Sequence, residues 1–223
     1  MCMDCWKGSL LAELKTSIGL FVCAATEREL AAFGEPVAET ELLVTGVGIP
    51  QALARMLEAL GRIRPARVLN IGIAGAYPGS GLGIGDLVMG ATEVYGDVGF
   101  ELPEVPGFRF VGEAEWGASY RKPLALSQFD EFGGLSIRPG CTVNSCTGTE
   151  ATGRLRETLF GASFETMEGA AAAQAGAILG IPVCEIRAIS NFASRREMRP
   201  ENIALALDRL RLYFETVREK KYD

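Results

Sequence analysis

Short apolar stretches alternate with helical ones along nearly the whole chain, and that alternation leaves few folds open. Residues 17–25, 41–45, 67–73, 87–89, 136–141, 164–166 and 181–189 read as strands. Helices are predicted between them over 27–33, about 50–60, near 150–159 and over 168–179, with a final amphipathic helix over about 201–218. Thr26 can accept hydrogen bonds from the free amides of a first helical turn, and Pro50 needs no donor at such a position. The strand at 67–73 is expected to break at Ala74-Gly75. With no internal repeat, the pattern predicts an α/β fold. It is a single three-layer α/β/α domain with a central mixed sheet, covering 17–223 after an irregular leader at 1–16.

Composition then removes whole classes of function. The 223 residues carry a formal charge of −6 and no cationic run, which argues against nucleic acid as a partner. No apolar run reaches the ~18 residues that span a bilayer, and none forms a secretory segment, so a cytoplasmic protein without membrane contact is expected. The absence of histidine excludes Ser-His and Cys-His nucleophiles. Chemistry is left to carboxylates, amides, hydroxyls and arginines. Cys2 and Cys5 have C-x-x-C spacing without a second pair, so no metal site is expected. Cys23, Cys141, Cys146 and Cys184 read as reduced, buried thiols. The glycine-dense stretch 79–86 lacks the Lys-Ser/Thr ending of a phosphate loop and runs into a strand rather than a helix. Residues 96–107 form a long glycine- and proline-rich excursion of the kind that usually has a function.

Four side chains stand where chemistry is possible. Glu29, in a first helical turn just past a strand, is either an acid favoured by the helix dipole or a general base, with Glu27 competing. Glu168, at the start of the alanine-rich helix, is either a cap or an acceptor for two sugar hydroxyls. Arg187, inside an apolar strand two residues after Glu185, is either half of a structural ion pair or a group that faces a pocket. Asn191 is either a strand-end turn residue or a ligand-binding amide. In open α/β sheets ligands bind beyond the carboxyl ends of strands, where Glu29 and Asn191 are expected.

Six stretches in register resemble the purine nucleoside phosphorylase and nucleosidase superfamily. They are Ala24-Ala25-Thr26-Glu27-Arg28-Glu29-Leu30, Thr45-Gly46-Val47-Gly48, Asn70-Ile71-Gly72-Ile73-Ala74-Gly75, Gly85-Asp86-Leu87-Val88, Thr166-Met167-Glu168-Gly169-Ala170 and Arg187-Ala188-Ile189-Ser190-Asn191. The resemblance is strongest to the hydrolase branch, the methylthioadenosine/S-adenosylhomocysteine nucleosidases and futalosine hydrolases, and it implies a nucleoside phosphorylase-like fold. It also implies that Glu29 activates water, Arg187 places that water, Glu168 binds ribose hydroxyls, and Met167 packs under the sugar. Ala74 and Gly75 would line the glycosidic bond, and the backbone of Val143 would face the base. Where adenine-releasing members have a phenylalanine near Val143, Thr142 stands here, with Phe192 as a possible substitute.

Two branch choices follow. A carboxylate at Glu29 would repel an attacking phosphate, which favours hydrolysis, although Arg28 nearby could serve phosphate. Adenine-releasing enzymes carry aspartic acid where Asn191 stands, and an amide cannot give up a proton at neutral pH. The resemblance therefore implies hydrolysis of futalosine to hypoxanthine in menaquinone biosynthesis, without cofactor or metal. Arg195, Arg196 and Arg199 are candidates for the aryl carboxylate of futalosine. The resemblance further implies a homodimer or larger homo-oligomer, with the loop at 96–108 completing a neighbour's pocket. Left open are a methylthioadenosine/S-adenosylhomocysteine nucleosidase, a 6-oxopurine nucleoside phosphorylase and a non-catalytic nucleoside-binding protein.

Overall fold

The computed structural model describes residues 18–195 and 197–222; the leader at 1–16 with Cys2 and Cys5, and Arg196, lie outside them. The first half runs β1 (Leu20–Ala24), α1 (Glu27–Ala31), β2 (Thr40–Val44), α2 (Ile49–Ile63), β3 (Val68–Ala76) and β4 (Leu87–Tyr95). Next come the short strands β5 (Gly99–Glu101), β6 (Phe108–Phe110) and β7 (Leu124–Ala125). The second half is β8 (Ser136–Thr142), α3 (Glu150–Phe160), β9 (Phe164–Thr166), α4 (Gly169–Leu179), β10 (Val183–Phe192) and α5 (Pro200–Tyr222).

Alternation along β1 shows how the layers form. Phe21 and Cys23 pack with Met56 and Leu60 of α2 and Ala172 and Ala173 of α4. Val22 and Ala24 point the other way, to Phe33 after α1 and to Ala206, Leu210 and Phe214 of α5. A strand buried on both faces needs apolar side chains in both registers, which is why 20–24 reads as a continuous apolar run. Each large side chain so buried contributes roughly 1.5–3 kcal/mol.

The sheet is mixed, as its sequence pattern predicts, but it is not open throughout. β1 lies parallel between β2 and β3. β3 also pairs in parallel with β10, β10 runs antiparallel to β4, and β8 and β9 follow in parallel order from β4. β9 then returns to the end of β3, pairing Glu165 with Gly75 and Phe164 with Ala76. Five strands thus close on themselves, while β1 and β2 extend from β3 as an open wing. One edge of β3 is shared, with β1 covering Val68 to Asn70 and β9 covering Gly75 and Ala76.

This closure corrects two expectations. β3 does not break at Ala74-Gly75 but continues to Ala76, because β9 on one side and β10 on the other supply ladder partners there. β10 likewise runs past Ile189 to Phe192 across a bulge, so Asn191 belongs to the strand rather than to a turn. The excursion at 96–107 holds the first strand of a small antiparallel ribbon, β5 with β6. Among the described residues no helix is long and apolar enough to cross a membrane, and no group of three His, Cys, Asp or Glu could hold a metal ion.

Candidate active site

The shared edge of β3 creates the site. Between the last β1 partner and the first β9 partner, the Ile73 N–H is taken by a side chain: it donates to Glu29 Oε1 at 3.0 Å. Glu29 reaches it because α1 starts on a capping box. The Glu29 N–H donates to Thr26 Oγ1 (3.3 Å), and Glu29 Oε2 accepts from the Thr26 N–H (3.1 Å) and hydroxyl (2.7 Å). Glu29 therefore closes the helix start and at the same time faces a cavity of about 340 Å³. Glu27, its competitor, is exposed and does not line that cavity.

Glu168 occupies the position before α4 but makes no cap for it. It reaches to the neighbouring helix instead, where Oε1 accepts from the Gly48 N–H at 2.8 Å at the positive end of α2. Burial pushes its carboxyl above the ordinary carboxylate range, against the pull of Arg187 and of the Gly48 amide. Glu168 and Met167 both line the cavity, as do Ala74, Gly75 and Asn191. The Asn191 amide is oriented at both ends: Oδ1 lies 3.0 Å from Ser190 Oγ, and Nδ2 donates to the Phe192 carbonyl at 3.2 Å. Ser190 Oγ is also 3.3 Å from the Ala74 carbonyl, which ties β10 to β3 beneath the cavity.

Arg187 is brought to the site but not into the cavity. It is fully buried below, its Nε donating to Glu185 Oε1 at 2.7 Å. Burial works against its charge, but Glu185, Glu168 and Glu29 outweigh that and push its pKa up, so the guanidinium stays cationic. Arg187 Nη1 and Glu29 Oε1 converge over Gly72, where a Cβ would collide with the first and stand 2.6 Å from the second. Gly72→Ala is accordingly expected to lower turnover by roughly a hundredfold, the scale of a 1 Å displacement of reacting groups. Steady-state kinetics on the soluble variant check this; an activity within twofold of the parent would show that neither group has to stay where it is.

Three expected residues are not brought in. Val143 sits in a buried cluster with Tyr77, Cys141 and Ala162, its N–H given to the Thr166 carbonyl, and it does not line the cavity. Arg195 is exposed and outside the cavity, and Arg199 pairs with Glu197 at 2.8 Å on the surface. Arg196 lies outside the described residues. Phe192 is 48% exposed and also absent from the lining, which holds no aromatic ring among the described residues. Thr142 is engaged elsewhere, where Oγ1 donates to Glu93 Oε2 and accepts from the Ala170 N–H, both at 2.7 Å.

The lining also holds residues that sequence reasoning missed. Met198, Ile203 and Leu207 close one wall from the start of α5, and Ile203 and Leu207 have the i, i+4 spacing that also marks ordinary core contacts. Glu165 is fixed by Tyr77 Oη (3.0 Å), the Thr147 N–H (2.8 Å) and Arg156 Nη1 (3.0 Å), and so anchors the turn carrying Cys146. Arg28 is the one cation among the described residues of the lining.

Comparison with known proteins identifies the family. The phosphorylase superfamily model matches residues 39–217. The futalosine hydrolase of Thermus thermophilus is 34% identical over 159 residues, covering 70% of each chain. That of Acidothermus cellulolyticus is 36% identical over 182 residues, covering 78% of this chain and 72% of its own. In fold, the chain is similar to S-adenosylhomocysteine nucleosidase from Streptococcus pyogenes in complex with 5-methylthiotubericidin. That match has a TM-score of 0.72 at 21% identity, covering 93% of this chain and 99% of the other. With the family model matched across most of its length and relatives above 30% identity, the chain belongs to the phosphorylase superfamily.

Proposed function

We propose that the protein hydrolyses the N-glycosidic bond of futalosine, releasing hypoxanthine and dehypoxanthine futalosine, in menaquinone biosynthesis. One observation carries the reading: Glu29, which borders a cavity together with Glu168 and Asn191, converges over Gly72 with the buried Arg187 beneath it. Kinship with two futalosine hydrolases supports the choice of substrate. Glu29 takes a proton from water as the water oxygen attacks the anomeric carbon, with Arg187 holding the local charge balance. Glu168 accepts from ribose hydroxyls above Met167, while Ala74 and Gly75 border the glycosidic bond. The bond's electron pair leaves with the 6-oxopurine, whose oxygen spreads the charge. An Asn191 N–H then needs only to donate a hydrogen bond. Neither metal nor cofactor enters this mechanism.

Hydrolysis fits this site better than phosphorolysis. A phosphate dianion beside Glu29 would face Glu168 as well, with Arg28 as its one cation among the described lining residues. Arg28, which lines the cavity where the exposed Arg195 does not, pairs with the aryl carboxylate. The protein works in the cytoplasm as a homo-oligomer, and exposed Phe100, Val105 and Trp116 on the excursion after β4 support a subunit contact there.

Incubation with futalosine, methylthioadenosine and inosine, followed by analysis of the free base, tests this. Hypoxanthine from futalosine is expected, without adenine from methylthioadenosine; adenine release would overturn the role of Asn191. Arg28→Met is expected to raise KM for futalosine about tenfold, the loss of one exposed charge-assisted contact, and to leave inosine untouched. Equal changes for both nucleosides would remove Arg28 from substrate recognition.

A further inference from the structure

Behind Arg187 lie two carboxyl groups that the proposed reaction does not use. Glu93 on β4 and Glu185 on β10 are both 0% exposed. Glu93 Oε1 and Glu185 Oε1 converge over Gly169, 2.5 and 2.6 Å from where a Cβ would stand. A second glycine, Gly140, leaves room for Glu93 Oε1 on its other side. The closed part of the sheet thus holds an unbroken row: Glu93, Glu185, Arg187, then Glu29 at the cavity. Four carboxylates with Glu168 and one guanidinium cannot all be ionised in so small a buried volume. Adjacent buried carboxyls resolve such a conflict by sharing one proton.

The contacts decide which group keeps it. Glu185 receives the charged Nε of Arg187 at 2.7 Å. Glu93 meets hydroxyls, Thr142 Oγ1 at 2.7 Å and Thr166 Oγ1 at 3.5 Å. We propose that Glu93 and Glu185 are a single-proton carboxyl pair that positions Arg187 beneath Glu29. Burial first, and the neighbouring Glu185 second, push the Glu93 carboxyl well above the carboxylate range, in agreement with this assignment. Glu93 donates to Glu185, and Glu185 grips Arg187 by Nε so that Nη1 is turned toward Gly72. Without that grip the guanidinium is free to fold onto Glu168 or Glu29. Neither acid touches substrate; both act through Arg187, so the proposal rests on the role given above to Glu29 and Arg187.

Two measurements test it, and the first needs no substrate. The infrared difference spectrum between the parent and Glu93→Gln at neutral pH is expected to contain the carbonyl stretch of a protonated carboxylic acid. If it does not, the proton lies elsewhere and the proposal falls, whatever the nucleoside. In turnover, Glu185→Gln is expected to lower kcat about a hundredfold with KM unchanged. Glu93→Ala is expected to lower kcat about tenfold, and Glu93→Gln, whose neutral amide can still donate to Glu185, to restore it to within about threefold. A rise in KM at constant kcat for Glu185→Gln, or no rescue by Gln at position 93, would overturn the positioning role. Failure to turn over futalosine with the infrared band present would count against the substrate and not against the pair.

Discussion

Glu29→Gln is expected to lower kcat by about 10²- to 10⁴-fold, the usual contribution of a positioned general base, while nucleoside binding is retained. The substitution separates the two roles of this side chain. Glutamine still accepts from the Thr26 N–H, and glutamine at the third helical position is an accepted partner in a capping box. With its oxygen on Thr26 the amide turns its NH2 toward the Ile73 N–H, so the start of α1 stays closed while the tie to the edge of β3 is given up. What is lost is the basic carboxylate oxygen and its contact with the Ile73 N–H. Single-turnover kinetics with futalosine, with binding followed separately by calorimetry, measure the split. Loss of binding together with loss of turnover would mean that Glu29 is a structural acid whose removal deforms the pocket. Unchanged turnover would place the base elsewhere or show that the protein binds nucleosides without cleaving them.

Arg187→Met is expected to cost about 3–5 kcal/mol of stability and to abolish turnover. Methionine fills much of the volume, so the cost is electrostatic: Glu185 is left as an uncompensated charge in a site with no solvent access. For a domain of this size that corresponds to a fall in Tm on the order of 10 °C. The double variant Arg187→Met with Glu185→Leu removes both charges and is expected to regain most of the stability, because an apolar pair can replace a buried ion pair. Turnover should stay absent, since the cation under Glu29 is still missing. Urea denaturation of the parent, single and double variants checks all three values. A loss below about 1 kcal/mol for Arg187→Met would contradict a buried ion pair, and activity in the double variant would remove Arg187 from the reaction.

How far the sequence revealed these features depended on the range of the interactions behind them. β1 and β3 are visible because strands buried on both faces show as apolar runs, interrupted in β3 by Asn70. The start of α1 is visible because Thr26 and Glu29 are three residues apart. The closure of the sheet is not visible, since it depends on two residue pairs between β9 and β3, about ninety positions apart in the chain. Glu168 shows the same limit. Its position is that of a helix cap, and only the approach of Gly48, 120 residues earlier, gives its carboxylate another partner. Glu29, Ala74, Gly75, Met167, Glu168 and Asn191, six of the residues marked by the resemblance, border one cavity. Val143 and Arg195 do not, because adjacency to a motif says nothing about which way a loop turns. Glu93 gave no signal, for an acid in a strand reads as solvent-facing until the sheet curls around it.

The shared edge of β3 makes the site a matter of strand length. The β1 ladder stops at Asn70 and the antiparallel β9 ladder reaches back only to Gly75, and the unclaimed backbone between them is where Glu29 attaches. Had either strand carried its ladder further along that edge, the Ile73 amide would have been spent on backbone pairing and Glu29 would have had no anchor there. The seat of Glu29 depends on two strands ending short of each other, so insertions and deletions in β1 or β9 are a route by which this architecture could lose or relocate that carboxylate without any substitution of Glu29 itself.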